Sequence, residues 1–177
     1  MNNKYSGNVS DFQPVVEDAS RVVISYGLTE LGEGRAEWYE VVFYKKQGKP
    51  TMDAVKAAII ADINKQTDEK IISGFVWEGI NVWLSEENQR NFSEAQRIAD
   101  SMPDVILPVK FKLGEDADGK PVYHTFETSE ELTEFYVTAV GYVNQCLAEG
   151  WAKKDGIDWT PYEEALNPQK GGKKNKK

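Results

Sequence analysis

The sequence predicts an α+β protein. An N-terminal antiparallel strand pair leads into a helix, a β-hairpin, a second helix, a second β-hairpin and a long helix, and the chain ends in a disordered basic tail. Three observations predict this. The apolar period changes from 2 to 3.6 and back between residues 36 and 147. Turn dipeptides, Glu78-Gly79 and Asp118-Gly119, fall between alternating runs. Hydrophobic residues make up 40% of the chain and charged residues 28%, the proportions of an ordinary soluble globular protein.

Residues 1–20 carry little periodic apolar signal and are expected to be loose or extended. Arg21–Tyr26, RVVISY, reads as a strand by its β-branched content. The glycine-bearing segment from Gly27, GLTELGEGR, reads as a turn or long hairpin loop. Ala36–Lys46, AEWYEVVFYKK, is the strongest strand. Trp38, Val42 and Tyr44 fall on one face, and Tyr39, Val41 and Phe43 on the other. Such a strand is either the covered centre of a small sheet or part of an interface. The interface alternative names Trp38, Tyr39, Val41, Phe43 and Tyr44, with Trp38 and Tyr39 as anchors.

QGKP at 47–50 is the domain boundary: residues 1–48 form the β element, 51–160 the α+β domain and 161–177 a flexible Lys-rich tail. Thr51 is placed to cap a helix whose stripe is Met52, Val55, Ile59 and Ile63, with Asp53 near its N-terminus. Ile71–Trp77 and Ile80–Leu84 then form a hairpin. Phe75, Trp77, Val82 and Leu84 share one face; Val76 and Trp83 share the other. Ser85 caps the next helix, with apolar positions Phe92, Ala95, Ile98, Ala99 and Met102, and Pro103 stops it. Val105–Leu113 and Pro121–Phe126 make the second strand pair. Thr128 and Glu131 form a T-x-x-E capping box for the long helix, with stripe Leu132, Phe135, Tyr136, Ala139, Val140, Val143 and Leu147. Gly150 is expected to end that helix. A shorter run reaches Trp159, and at most one helical turn is expected beyond Pro161.

The chemistry-bearing residues are few. His124 is the single histidine, and no serine or cysteine motif accompanies it, so it reads as a packing or surface residue. Cys146 is the single cysteine and reads as a small buried hydrophobe; no intrachain disulfide can form, which suits a reducing compartment. DADGK resembles a calcium loop, but an EF-hand centred on Gly119 would begin at Gly114 and end at Thr125, neither of which is an acid. Phosphate-loop, dinucleotide and zinc patterns are missing. No catalytic residue, metal ligand or cofactor is assigned, and the chain is not expected to be an enzyme. No apolar run approaches the ~18 residues of a membrane span, and the N-terminus has no signal-peptide core, so no membrane association is expected.

The formal net charge of −8 is uneven. Lys170–Lys177 contributes five lysines and no acid, leaving −13 on the remainder. An acidic body repels nucleic acid, so such binding is expected only through that tail. The 5 Trp, 8 Tyr and 7 Phe suit either core packing or interface contacts.

The order of elements resembles a known family. DAVKAAIIADINKQTDEKI is followed by ISGFVWEGINVWLS, then EENQRNFSEAQRIA, a strand pair, and SEELTEFYVTAVGYVNQCLAEGWAKKDGI. Gly79, Gln89, Asn91 and Val143-Asn144-Gln145 are the matching side chains. The match covers about residues 51–158 and is similar to a domain of unknown function that recurs in tail-fibre and tail-assembly proteins of tailed bacteriophages and prophages. The resemblance implies that the hairpin aromatics pack on the flanking helices and that Gln89 and Asn91 hydrogen-bond the hairpin backbone or the following loop. It brings no catalytic residues. It implies a tail- or virion-associated structural protein, located in the virion or the bacterial host cytoplasm, with other virion proteins and copies of itself as partners. Residues 21–46 would be its attachment element, mediating homo-oligomerisation or docking. One alternative is a small acidic phage-encoded inhibitor that mimics nucleic acid or blocks a host defence protein; the other is an enzyme of unknown reaction, which would need a deep polar pocket around His124.

Overall fold

Backbone pairing in the computed structural model, which describes residues 3–167, divides the chain into an N-terminal four-stranded sheet and two later hairpins. The elements are β1 (Lys4–Asn8), β2 (Val15–Glu17), β3 (Arg21–Gly32), β4 (Arg35–Tyr44), α1 (Met52–Ser73), β5 (Phe75–Trp77), β6 (Ile80–Val82), α2 (Glu86–Ser101), α3 (Pro103–Ile106), β7 (Val109–Glu115), β8 (Pro121–Phe126), α4 (Ser129–Asp155) and α5 (Thr160–Leu166). The α+β class is the one the sequence predicts, as is the order of its main helices and hairpins. The expected basic tail, Lys170–Lys177, lies outside the described residues.

Among the described residues two compact units arise, one from residues 3–63 and 152–167, the other from 64–151. The division falls inside α1 and α4 and not at 47–50. The physical reason is the stripe on α1: Val55, Ile59 and Ile63 are buried with the sheet residues Val22, Ile24 and Tyr26. The first half of the helix therefore belongs with the strands.

In the first unit the strand order is β1-β4-β3-β2, antiparallel throughout. Val22, Ile24 and Tyr26 lie opposite Phe43, Val41 and Tyr39 on the inner face. Tyr26 and Tyr39 stack at 5.7 Å. Tyr162 of α5 is buried in the same cluster, and its hydroxyl donates to the Ser25 carbonyl at 2.9 Å. Asp62 accepts from the Tyr26 hydroxyl and from Asn3 Nδ2, the latter at 2.7 Å, which ties the N-terminus to the helix.

Three expectations are corrected here. Residues 3–20, expected to be loose or extended, are extended at Lys4–Asn8 and Val15–Glu17 and supply both edge strands, so the sheet has four strands where a pair was expected. Neither edge strand, KYSGN nor VVE, has a fully buried residue, so neither shows the alternation of buried and exposed positions that marks a strand in sequence. The segment from Gly27 is not a loop, because β3 continues to Gly32. Gly27, at φ 68°, marks a register shift between Tyr26 and Thr29, and the turn is confined to Gly32-Glu33-Gly34, all at positive φ. Past Pro161 the chain forms α5, a helix of 7 residues and longer than the single turn expected.

In the second unit, Phe75, Trp77, Val82 and Leu84 are buried, while Val76 and Trp83 face solvent, as alternation predicts. Phe135 of α4 sits among Phe75, Trp77, Phe92 and Phe126 with ring centroids 5.0–6.2 Å apart. The β5–β6 turn has Glu78 and Gly79 at φ 48° and 78°, the two positive values of a type I′ hairpin. Ser85 caps α2 by accepting from the Asn88 N–H.

Boundaries moved where periodicity is ambiguous. Residues 71–73 close α1 and do not open a strand, since a short apolar run fits either period. Pro103 both ends α2 and starts α3, so the strand expected from Val105 begins at Val109. Helix α4 passes through Gly150, where it was expected to stop. A Cβ there would lie 2.5 Å from Thr67 Oγ1, so the glycine serves close packing and not helix termination.

Candidate functional site

Strand alternation sets what the N-terminal sheet shows to solvent. Val16 lies opposite Val23, and Val23 opposite Val42, so the three form one cross-strand row on the outer face. Val16 and Val42 are exposed, and Tyr44, opposite Arg21, is 65% exposed. Beside Tyr44 lies an open recess of about 700 Å³ lined by Ala19, Ser20, Lys45 and Lys46. Lys45 and Lys49 hold Glu17 at 2.7 and 2.8 Å, and these bonds lower the Glu17 pKa.

The other residues named from sequence are placed differently. Trp38 shares the outer face but is only 7% exposed. Phe12 meets it edge-on at 6.1 Å, its indole nitrogen donates to Glu40 at 3.0 Å, and Gly7 leaves it room: a Cβ there would come within 2.9 Å of the ring. Tyr39, Val41 and Phe43 are partly buried and pack on the inner core. Of the five, Tyr44 is the one well exposed. Sequence reasoning passed over Val16 because it sits in a three-residue strand.

His124 and Glu131 are neighbours in the second unit, with Nε2 2.8 Å from Oε1. The other Glu131 oxygen accepts the Glu127 N–H at 3.1 Å, while Thr128 Oγ1 accepts the Glu131 N–H at 3.2 Å. The capping box is thus shifted by one residue on its return arm. Trp77 meets the imidazole edge-on at 4.8 Å. The bond to His124 chiefly lowers the Glu131 pKa, burial opposes it, and the Glu127 N–H assists. This arrangement fixes the start of α4 to β8. Cys146 is buried, and the nearby Tyr142 hydroxyl, pushed up to about 12 mainly by burial, donates to the Lys70 carbonyl at 2.9 Å. Among the described residues no group of three His, Cys, Asp or Glu side chains is placed to hold a metal ion, and no helix is long and apolar enough to cross a membrane.

A groove of about 290 Å³ runs between α2 and α4, with Leu84, Phe92, Tyr136, Val140 and Val143 among its walls and Gln89, Arg90 and Asn144 as its polar members. Gln89 donates to the Leu84 carbonyl at 2.6 Å, the role expected of it. The second amide expected there was Asn91. Asn91 is exposed, and Asn88 instead donates to the Trp83 carbonyl at 2.8 Å. Nothing in the sequence pointed to the groove itself.

Fold and site together define a class: an α+β chain of hairpins set against long helices, bearing an apolar sheet face ahead of them. The chain belongs to the family described as a domain of unknown function (DUF4376), whose profile matches residues 54–168. No curated protein and no solved structure matches it. The match begins near the start of α1, so β1–β4 lie outside it.

Proposed function

We propose that this chain is a phage or prophage structural protein, tail- or virion-associated, that acts through protein–protein contacts. The observation that carries the reading is the outer face of the N-terminal sheet. Val16, Val42 and Tyr44 present apolar surface on an element that lies ahead of the family match. Tyrosine with aliphatic neighbours is the composition of an interface core. The resemblance of residues 51–158 to a domain of phage tail proteins supports the same reading. The partner on this face is another virion protein, and Tyr44 takes over the anchoring role first given to Trp38.

The acidic-inhibitor alternative is the weaker reading, because a nucleic-acid mimic has no use for the exposed apolar residues Val16, Val42 and Tyr44. Mass spectrometry of purified virions tests the proposal. Stoichiometric presence is expected. Absence from particles, together with abundance in infected cells, would favour the inhibitor.

A further inference from the structure

We propose that two copies of this chain pair antiparallel along α4, with Trp151 of each copy seated in the α2–α4 groove of the other. The inference does not rest on the tail-associated reading. It begins with a strip of α4 left exposed among the described residues. Val137 is 62% exposed, Trp151 is 57% exposed, and Val140 and Asn144 are also exposed. At 3.6 residues per turn, Trp151 lies within about 20° of Val140 around the helix and about 16 Å further along it. The four residues therefore form one line.

The knob and the hole lie on that same line. Val140 and Asn144 help to line the groove, whose floor includes the buried Phe92. Trp151, the knob, stands beyond them. A surface that carries a projection and a matching recess side by side is self-complementary under a two-fold axis, the arrangement of most homodimers. An axis passing close to Asn144 brings Trp151 of the second copy over the groove and places the two Asn144 amides near each other. A single amide in an apolar helical seam fixes register. Arg90 lines the groove, where a guanidinium can meet the face of the incoming indole.

Charge selects the antiparallel direction. The first turn of α4 carries Glu130 and Glu131, and its last turn carries Lys153 and Lys154. Antiparallel packing opposes acidic and basic ends; parallel packing would oppose like charges. The area is sufficient as well. An aromatic side chain brings roughly 150–250 Å². Two tryptophans with two copies of Val137 and Val140, and the groove walls they cover, reach on the order of 1,000 Å², the lower bound of a specific interface.

The test uses the full chain. Sedimentation equilibrium should show a dimer at concentrations of about 100 µM. Trp151→Ala should weaken it at least roughly tenfold while leaving circular dichroism unchanged, because an exposed side chain is removed. Asn144→Cys should cross-link with a short bis-maleimide and Val137→Cys should not, since two copies of residue 137 would stand about 20 Å apart along the axis. The buried Cys146 leaves the unmodified protein as the control. A chain that stays monomeric at that concentration overturns the proposal, whatever else occupies the groove. So does a dimer unaffected by Trp151→Ala, or equal cross-linking at both positions.

Discussion

Glu131 shows how one side chain joins two elements. One of its oxygens meets His124 on β8, and the other takes a backbone N–H just ahead of α4. Its pKa is lowered in the folded state, so the stability it supplies is present above the unfolded value of about 4.5 and is lost as pH falls through the folded value. Denaturant unfolding of the wild type and of Glu131→Gln checks this. The wild type should be the more stable near neutrality, and the gap should begin to close as pH falls below the ordinary value of 4.5. A gap that persists at acid pH would remove the carboxylate's charge from the account. The T-x-x-E spacing was legible in the sequence. The bond to His124 was not, because it depends on where β8 ends relative to the helix. The amides after the hairpin show the same limit. Asn88, Gln89 and Asn91 are equally polar in sequence, and only the geometry at Ser85 decides which of them reach back to the Trp83 and Leu84 carbonyls.

At the scale of elements, glycine was the residue read least well. The rule that a glycine ends a helix failed at Gly150, because Thr67 occupies the space a Cβ would need. The same residue type carries the bulge at Gly27, which the sequence suggested was loop. A pair of substitutions in α4 separates the two uses. Gly150→Ala should destabilise by about 1–3 kcal/mol through overpacking. Gly141→Ala, where nothing beyond the adjoining residues and the helix's own backbone lies within 4 Å of the added Cβ, should stabilise by up to about 1 kcal/mol. Thermal unfolding of both variants checks the contrast, and similar shifts of one sign would contradict it. Alternation, by comparison, was reliable wherever a strand had one buried face: Phe75, Trp77, Val82 and Leu84 point inward and Val76 and Trp83 outward as read. It did not find β1 and β2, in which no residue is fully buried.

At the scale of the molecule, the class and the order of elements were legible because each long helix carries its stripe and each hairpin its turn. The compact units were not, since α1 and α4 each run from one unit into the other. The candidate site was half legible. Strand 36–46 advertised two apolar faces, and the sequence could not tell that Phe12 and Gly7 bury Trp38 while Tyr44 stays out. The docking claim therefore rests on Val16, Val42 and Tyr44. Incorporation of a Val42→Asp, Tyr44→Ser double variant into particles tests it most directly, with circular dichroism to confirm folding. The account predicts that the folded variant is made in infected cells but is depleted at least roughly tenfold from purified virions. A folded variant that enters particles at the wild-type level would contradict it.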